Sequence, residues 1–344
     1  MMKDSDIKEA FIVGEKAFSF RLCPPYGYDR KILEALRTIF PHITFTEEWF
    51  KWFSVSNPYA RCYWFIAELD NNAVATYGFL PIRVSVLKKQ YGAALAVNTG
   101  LFADYWGTGI YQKFGKFCLD TVTGRLEKRL IVALSNNIAY AAHLRLGWFE
   151  VGKVVFMELQ KEAISKTTHS HSSGNRAQKE DISYPPSSLD EFLREASTRC
   201  DLFIDKDASI LKWRYSRPDY NDSYSLLMAY AEADKPSGYA VIKDYYDRAQ
   251  GIHRLHIVDL ICDNFEVFKS LMSSICMEAG KLSIDKIDTA VFRRSAIYDF
   301  FLKIGFSENG VKRHLLAYSH DPEVRNGLKK VNNAIFSLGD NDVF

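Results

Sequence analysis

One segment of this chain occurs twice. Residues 146–152 (LGWFEVG) return 158 positions later as residues 304–310 (IGFSENG). The same offset lays residues 93–101 on 251–259 (GIHRLHIVD). It lays a helical stretch at 110–128 on another at about 265–280. A strand pair precedes these pieces in both places: 61–69 with 73–87, and 224–231 with 239–245 through a turn at Pro236-Ser237-Gly238. Same pieces in the same order mean a whole α/β unit used twice, a strong constraint on topology.

The expected architecture is therefore α/β (α+β). It has two tandem domains, each a mixed, mainly antiparallel sheet flanked by helices. The first domain is residues 1–160 and the second 186–344. Between them lies a polar linker, 161–185, rich in Ser, Lys and Thr and nearly without apolar anchors. His169 and His171 fall in that linker and read as solvated residues, not as a metal pair. At 344 residues, with 47% hydrophobic and 25% charged residues, the chain can bury two ordinary cores.

Before the repeat, residues 1–30 carry mixed charge and end in a turn cluster, CPPYG. Ile32, Leu33, Leu36 and Ile39 have helical spacing, and Thr46-Glu47-Glu48 resembles a helix start. Net charge is +2, which gives no drive toward nucleic acid. Six cysteines lie far apart with no metal-ligand spacing, so they read as buried reduced thiols, and no metal site is expected. There is no apolar signal core and no run of 18 apolar residues, so a cytoplasmic protein without a membrane span is expected.

The chemistry concentrates in residues 96–114, AVNTGLFADYWGTGIYQKF. An apolar strand enters a loop with Gly107 and Gly109, and a helix starts at Ile110. Such a turn holds phosphate: glycines let backbone approach the anion, and first-turn N–H groups have no partner inside the helix. The second unit has Asp263-Asn264-Phe265-Glu266 there, with two acids and no glycine. That loop should repel phosphate, so an anionic cofactor belongs to the first unit alone.

With these residues in view, the first half resembles the GNAT superfamily of acyl-CoA-dependent acyltransferases. The likeness is carried by the loop Trp106-Gly107-Thr108-Gly109-Ile110-Tyr111, by Asn136 before the next helix, and by the turn Leu146-Gly147-Trp148. EEWFKWFSVSNPYA, LKWRYSRPDY and NAIFSLGDNDVF look like a tandem subset associated with surface-polysaccharide or cell-envelope gene sets. The resemblance implies acetyl-CoA or another short acyl-CoA as cofactor and a small-molecule amine as acceptor, an amino sugar first. A homodimer is compatible with it.

The resemblance places pyrophosphate on the N–H groups of Gly107 to Tyr111. Pantetheine runs along the strand to Leu101, as an added strand would. An N–H at Leu101 or Phe102 polarises the thioester carbonyl, and Gly100 marks a bulge that splays the sheet. His143 stands where the family often has a tyrosine that protonates the departing thiolate, and Tyr140 is the alternative acid. Glu68 and Asn98 are the candidate base and water-orienting group. Two rivals stand beside this reading. One is a non-catalytic CoA-binding scaffold. The other is a tandem-GNAT aminoacyltransferase of cell-wall synthesis, which the near-zero net charge disfavours.

Overall fold

The computed structural model describes residues 7–164, 177–217, 224–232 and 235–340. His169 and His171 lie outside the described residues. Alternation of apolar residues builds the first strands: β1 (Lys8–Val13), β2 (Lys16–Leu22), β3 (Tyr63–Leu69), β4 (Asn72–Val86) and β5 (Lys89–Leu101). They pair antiparallel in chain order. The hairpin of β1 and β2 was not expected from residues 1–30. Its signal is the alternation of Phe18 and Phe20, both buried beneath the third helix.

α1 (Asp29–Ile39) turns Ile32, Leu33 and Leu36 inward, as their spacing predicts. α2 (Glu47–Phe50) is opened by Thr46, whose hydroxyl accepts the Trp49 N–H at 2.9 Å; a π-helical turn, Lys51–Val55, continues it. α3 (Ile110–Asp120), β6 (Leu130–Ser135), α4 (Asn137–Arg145) and β7 (Phe149–Gln160) follow.

The second half supplies β8 (Gln178–Glu180), α5 (Ser188–Ser197), β9 (Leu202–Ile204), α6 (Ala208–Tyr215), β10 (Tyr224–Glu232), β11 (Lys235–Asp247) and β12 (Ile252–Cys262). Then come α7 (Phe265–Lys281), β13 (Lys286–Phe292), α8 (Ala296–Lys303), β14 (Ser307–Tyr318), α9 (Pro322–Leu328) and β15 (Ala334–Ile335). Pro236, Ser237 and Gly238 are residues of β11, not the turn the sequence suggested: Pro236 and Gly238 pair with Tyr230 and Ala229 on β10, and Ser237 falls in the register shift between them.

The described strands join in one sheet, in the order β1-β2-β3-β4-β5-β6-β14-β7-β13-β12-β11-β10-β8. β6 does not pair with β7, the strand that follows it. β14 lies between them, with His314 opposite Ser135 on one side and Lys153 on the other. β7 in turn pairs with β13. The two halves thus exchange their last strands.

One core fills a single face of the sheet through both halves, beneath α1, α2, α5, α6 and α9. The opposite face carries two cores, one under α3 and one under α7 and α8. Trp52 and Trp213 tie the halves on the first face: each indole N–H donates to the other's carbonyl, at 2.7 and 3.0 Å, and the rings stack. No described helix is long and apolar enough to cross a membrane.

Candidate active site

β5 and β6 run parallel, but they pair only where residues 93–95 meet 130–132. Beyond that point β5 continues to Leu101 and β6 to Ser135 without pairing to each other. The result is a fork open at the C-terminal ends of both strands. Its cause is local. The β4–β5 register slips between the pairs Thr76–Gly100 and Gly78–Val97. Asn98 sits in the slip with φ +45°, and its carbonyl accepts the Thr76 hydroxyl at 3.0 Å. A bulge of this kind bends one strand away from its neighbour.

At the mouth of the fork stands the glycine loop. Gly107 and Gly109 have φ of +77° and +80°, the left-handed region that a side chain strains. A Cβ added to either would meet nothing within 4 Å. The N–H groups of Gly107, Gly109 and Tyr111 have no partner among the described residues. Ile110 has only the Thr108 hydroxyl, at 3.4 Å. Unsatisfied donors at the positive end of an 11-residue helix, with open space above them, suit a phosphate. An extended arm fits the fork, because the β5 edge from residue 96 onward has no strand beside it. The residues present therefore fit an acyl-CoA.

The side chains of the loop shape its rim. The Trp106 indole N–H donates to the Leu101 carbonyl at 3.0 Å, and the ring is 68% exposed. Thr108 closes the turn through Tyr105 at 2.7 Å. Asn136 caps α4, accepting the Ala139 N–H at 2.8 Å.

Several expected roles are corrected. The Phe102 N–H donates to the Val74 carbonyl at 2.8 Å, so it is not free to polarise a thioester. Gly100 is not the bulge; Asn98 is. Glu68 lies on β3, two strands from β5, and it is buried. There it pairs with Lys31 and with Arg21 at 3.7 Å, and it accepts the Ser19 hydroxyl at 3.2 Å. Held there by these partners, away from the open edge of β5, it is not placed to take a proton from an acceptor. Tyr140 donates to Glu150 at 2.8 Å and stacks on His314 at 3.9 Å, and that hydrogen bond raises its pKa. Its proton is committed to Glu150.

His143 is brought under the fork, but buried, 4% exposed. Burial lowers its pKa, so the ring is neutral near pH 7. Nδ1 lies 2.8 Å from the Ala139 carbonyl, which only accepts, so Nδ1 carries the proton and Nε2 is an acceptor. A neutral ring with its one proton committed does not donate to a thiolate. Nε2 faces the Tyr77 hydroxyl at 3.5 Å, and that hydroxyl also bonds Thr99 on the bulge. Tyr77, Thr99 and Ser135, which lies 3.4 Å from His143 Nδ1, were not singled out in the sequence. They meet across strands, and no spacing announces it.

No family model and no curated protein matches the sequence. Solved structures do resemble the fold. A GCN5-related N-acetyltransferase from Anabaena variabilis superposes with a TM-score of 0.68 at 14% identity, covering 88% of this chain and 73% of that one. The chain has the fold of the GCN5-related N-acetyltransferases. A probable N-acyltransferase from Enterococcus faecalis shares this GNAT fold, with a TM-score of 0.65 at 12% identity over 88% and 72% of the two chains. Saccharomyces cerevisiae N-myristoyltransferase with bound myristoyl-CoA gives 0.60 at 10% identity over 92% and 85%. In this GNAT fold the mixed sheet and its helices stand as the sequence predicts.

Proposed function

We propose that this chain moves an acetyl or other short acyl group from acyl-CoA to an amine of a small molecule, with an amino sugar as the first acceptor to test. The observation that carries the proposal is the fork at β5 and β6 with an open glycine cradle at its mouth. The thioester supplies an activated carbonyl. Gly107, Gly109 and Tyr111 hold the pyrophosphate through their N–H groups. The β5 edge beyond Ala96 orients the arm and directs backbone N–H groups at the carbonyl.

Positioning does most of the remaining work. A lysine amine has a pKa of ~10.4 and an α-amino group ~7.7–8.0, so the second loses its proton with about 3.5 kcal/mol less effort. An amino-sugar amine is closer to the second and needs no strong base. The division into units 1–160 and 186–344 about a linker at 161–185 belongs to this proposal, with residues 178–180 of the linker joined to the second unit as β8 and the second unit shaping the acceptor side. So does a cytoplasmic location.

Acetyl-CoA titration with thermal melting tests the proposal. Wild type gains stability by mass action, ~2.7 kcal/mol at a hundredfold excess over Kd, and Gly109→Asp does not. No shift at millimolar acetyl-CoA would falsify it. The committed proton of His143 favours a second reading, a CoA-binding protein without turnover. Thiol release with a panel of amino sugars, amino acids and polyamines separates the two.

A further inference from the structure

The glycine cradle opens α3, and α3 packs on one face of the sheet, over Phe20, Phe65 and Ile131. α1 packs on the other face, over Ile66, Leu95 and Val97. An arm that enters at the cradle and passes through the fork comes out on the α1 face, beside the bulge. There β5 is covered at contact distance. A Cβ built on Gly100 would stand 2.6 Å from Cζ of Phe40 and closer still to Cγ2 of Ile39. Carbon atoms rest at about 3.5–4.0 Å, so the end of α1 lies on bare glycine backbone. Glycine at 100 is thus needed for close approach.

Phe40 is well placed to act as a stop. It is the residue that ends α1, with its N–H held by the Leu36 carbonyl at 2.9 Å. Its ring lies 6.3 Å from that of Phe45, which is buried in turn against Trp49 at 4.8 Å. Phe40, Gly100 and Ile39 are all partly exposed, so this contact borders the open fork and is not sealed inside the core.

We propose that Phe40, backed by Ile39, sets the length of the acyl group: the site takes thioesters of the acetyl class and turns away long straight chains. This rests on the acyl-CoA reading above. An acyl carbon bound at the bulge meets the Phe40 ring after a few bonds. A longer chain must displace that ring and the aromatic stack behind it.

Isothermal titration of the full chain with CoA, acetyl-CoA and octanoyl-CoA tests this. The readout is the ratio of acetyl-CoA to octanoyl-CoA affinity within each protein. In wild type the ratio is at least about tenfold in favour of acetyl-CoA. Phe40→Ala brings it to near one, and Phe40→Leu, which keeps an apolar contact, falls between. CoA, which carries no acyl group, reports whether each protein holds the carrier at all. If CoA binds and wild type takes octanoyl-CoA as tightly as acetyl-CoA, the length inference is overturned alone. The same holds if Phe40→Ala keeps the wild-type ratio. If CoA does not bind wild type, the acyl-CoA reading falls, and this inference falls with it.

Discussion

Among the described residues the sheet forks once in each half, and the first fork is open while the second is not. In the first half β5 and β6 part after residues 95 and 132. In the second half β12 and β13 pair from Arg254–Lys286 to Ile257–Thr289 and then part, with a register slip between β11 and β12 at Val258, just past the last pair. The first fork is faced by unsatisfied N–H groups at Gly107, Gly109 and Tyr111. At the second, the Asn264 side chain already accepts from Glu266 and Val267, at 3.0 and 3.1 Å. The chain's own segment, with Ala334 and Phe336 buried, packs in one core with Val258, Ala290 and Phe292. The same architecture is thus left open in one half and seats the chain's own segment in the other. Donor satisfaction and a plug make the difference.

The seat is fastened by a buried ion cluster. Lys206 bridges Asp259 at 2.8 Å and Asp340 at 2.9 Å. Asp259 also accepts from Tyr215, Tyr239 and Ser337, at 3.0–3.1 Å. Removing one partner of a buried pair leaves a charge without compensation. Lys206→Met is expected to cost about 3–5 kcal/mol in urea unfolding, the largest effect here. Acetyl-CoA binding by the folded fraction should persist, since Lys206 pairs with Asp259, Asp340 and Ser337 and not with the glycine loop. A loss below about 1 kcal/mol would mean that the cluster does not hold the segment in place.

The second prediction gives the first loop the acid of the second. Gly109→Glu puts a side chain at φ +80°, a stability cost of about 1–2 kcal/mol, and a carboxylate beside the N–H groups proposed to face the phosphates. Acetyl-CoA affinity should fall at least about tenfold by titration, about 1.4 kcal/mol. Equal affinity would show that the cradle does not touch the phosphates.

The glycine loop was legible and the segment beside the second fork was not, for a physical reason. Gly107 and Gly109 announce themselves because positive φ is a local demand, met by residue type. Asn136 and Thr46 are legible as caps for the same reason. The exchange of β7 and β14 depends on which of two similar edges each strand meets, a choice made across more than a hundred residues. The burial of His143 and the ion pairing of Glu68 depend on what packs over them, and alternation along a strand does not name the partner. Sequence chemistry picked those residues for what they can do, and the fold shows them already occupied.

A matched pair of tyrosines sharpens the comparison. Tyr140 on α4 donates to Glu150 on β7 at 2.8 Å, and Tyr298 on α8 donates to Glu308 on β14 at 2.7 Å. The second pair stands in the half without a glycine loop, so the shared contact is a clamp between helix and strand. Tyr140→Phe and Tyr298→Phe should each cost about 0.5–1.5 kcal/mol in thermal unfolding, with neither abolishing turnover. Turnover lost in Tyr140→Phe alone would return that residue to the chemistry.

The smallest effect is the most specific. His143 has Phe301 at the matching position in the second half, and Phe301 is fully buried. A neutral packed histidine and a phenylalanine do the same work until acid is added. Burial lowers the pKa of His143 in the folded chain, while the unfolded chain takes up its proton near pH ~6.5. Below that pH the unfolded state binds more protons, so the group's share of stability falls as pH falls and returns as pH rises. The loss is no more than about 0.8 kcal/mol at pH 6. Melting of wild type between pH 7.5 and 5.5 should therefore decline more steeply than melting of His143→Phe. Equal slopes would mean that His143 takes up its proton in the folded state about as readily as in the unfolded one. The ring would then carry a second proton to give to a thiolate, and the first half would differ from the second by an acid as well as by an open slot.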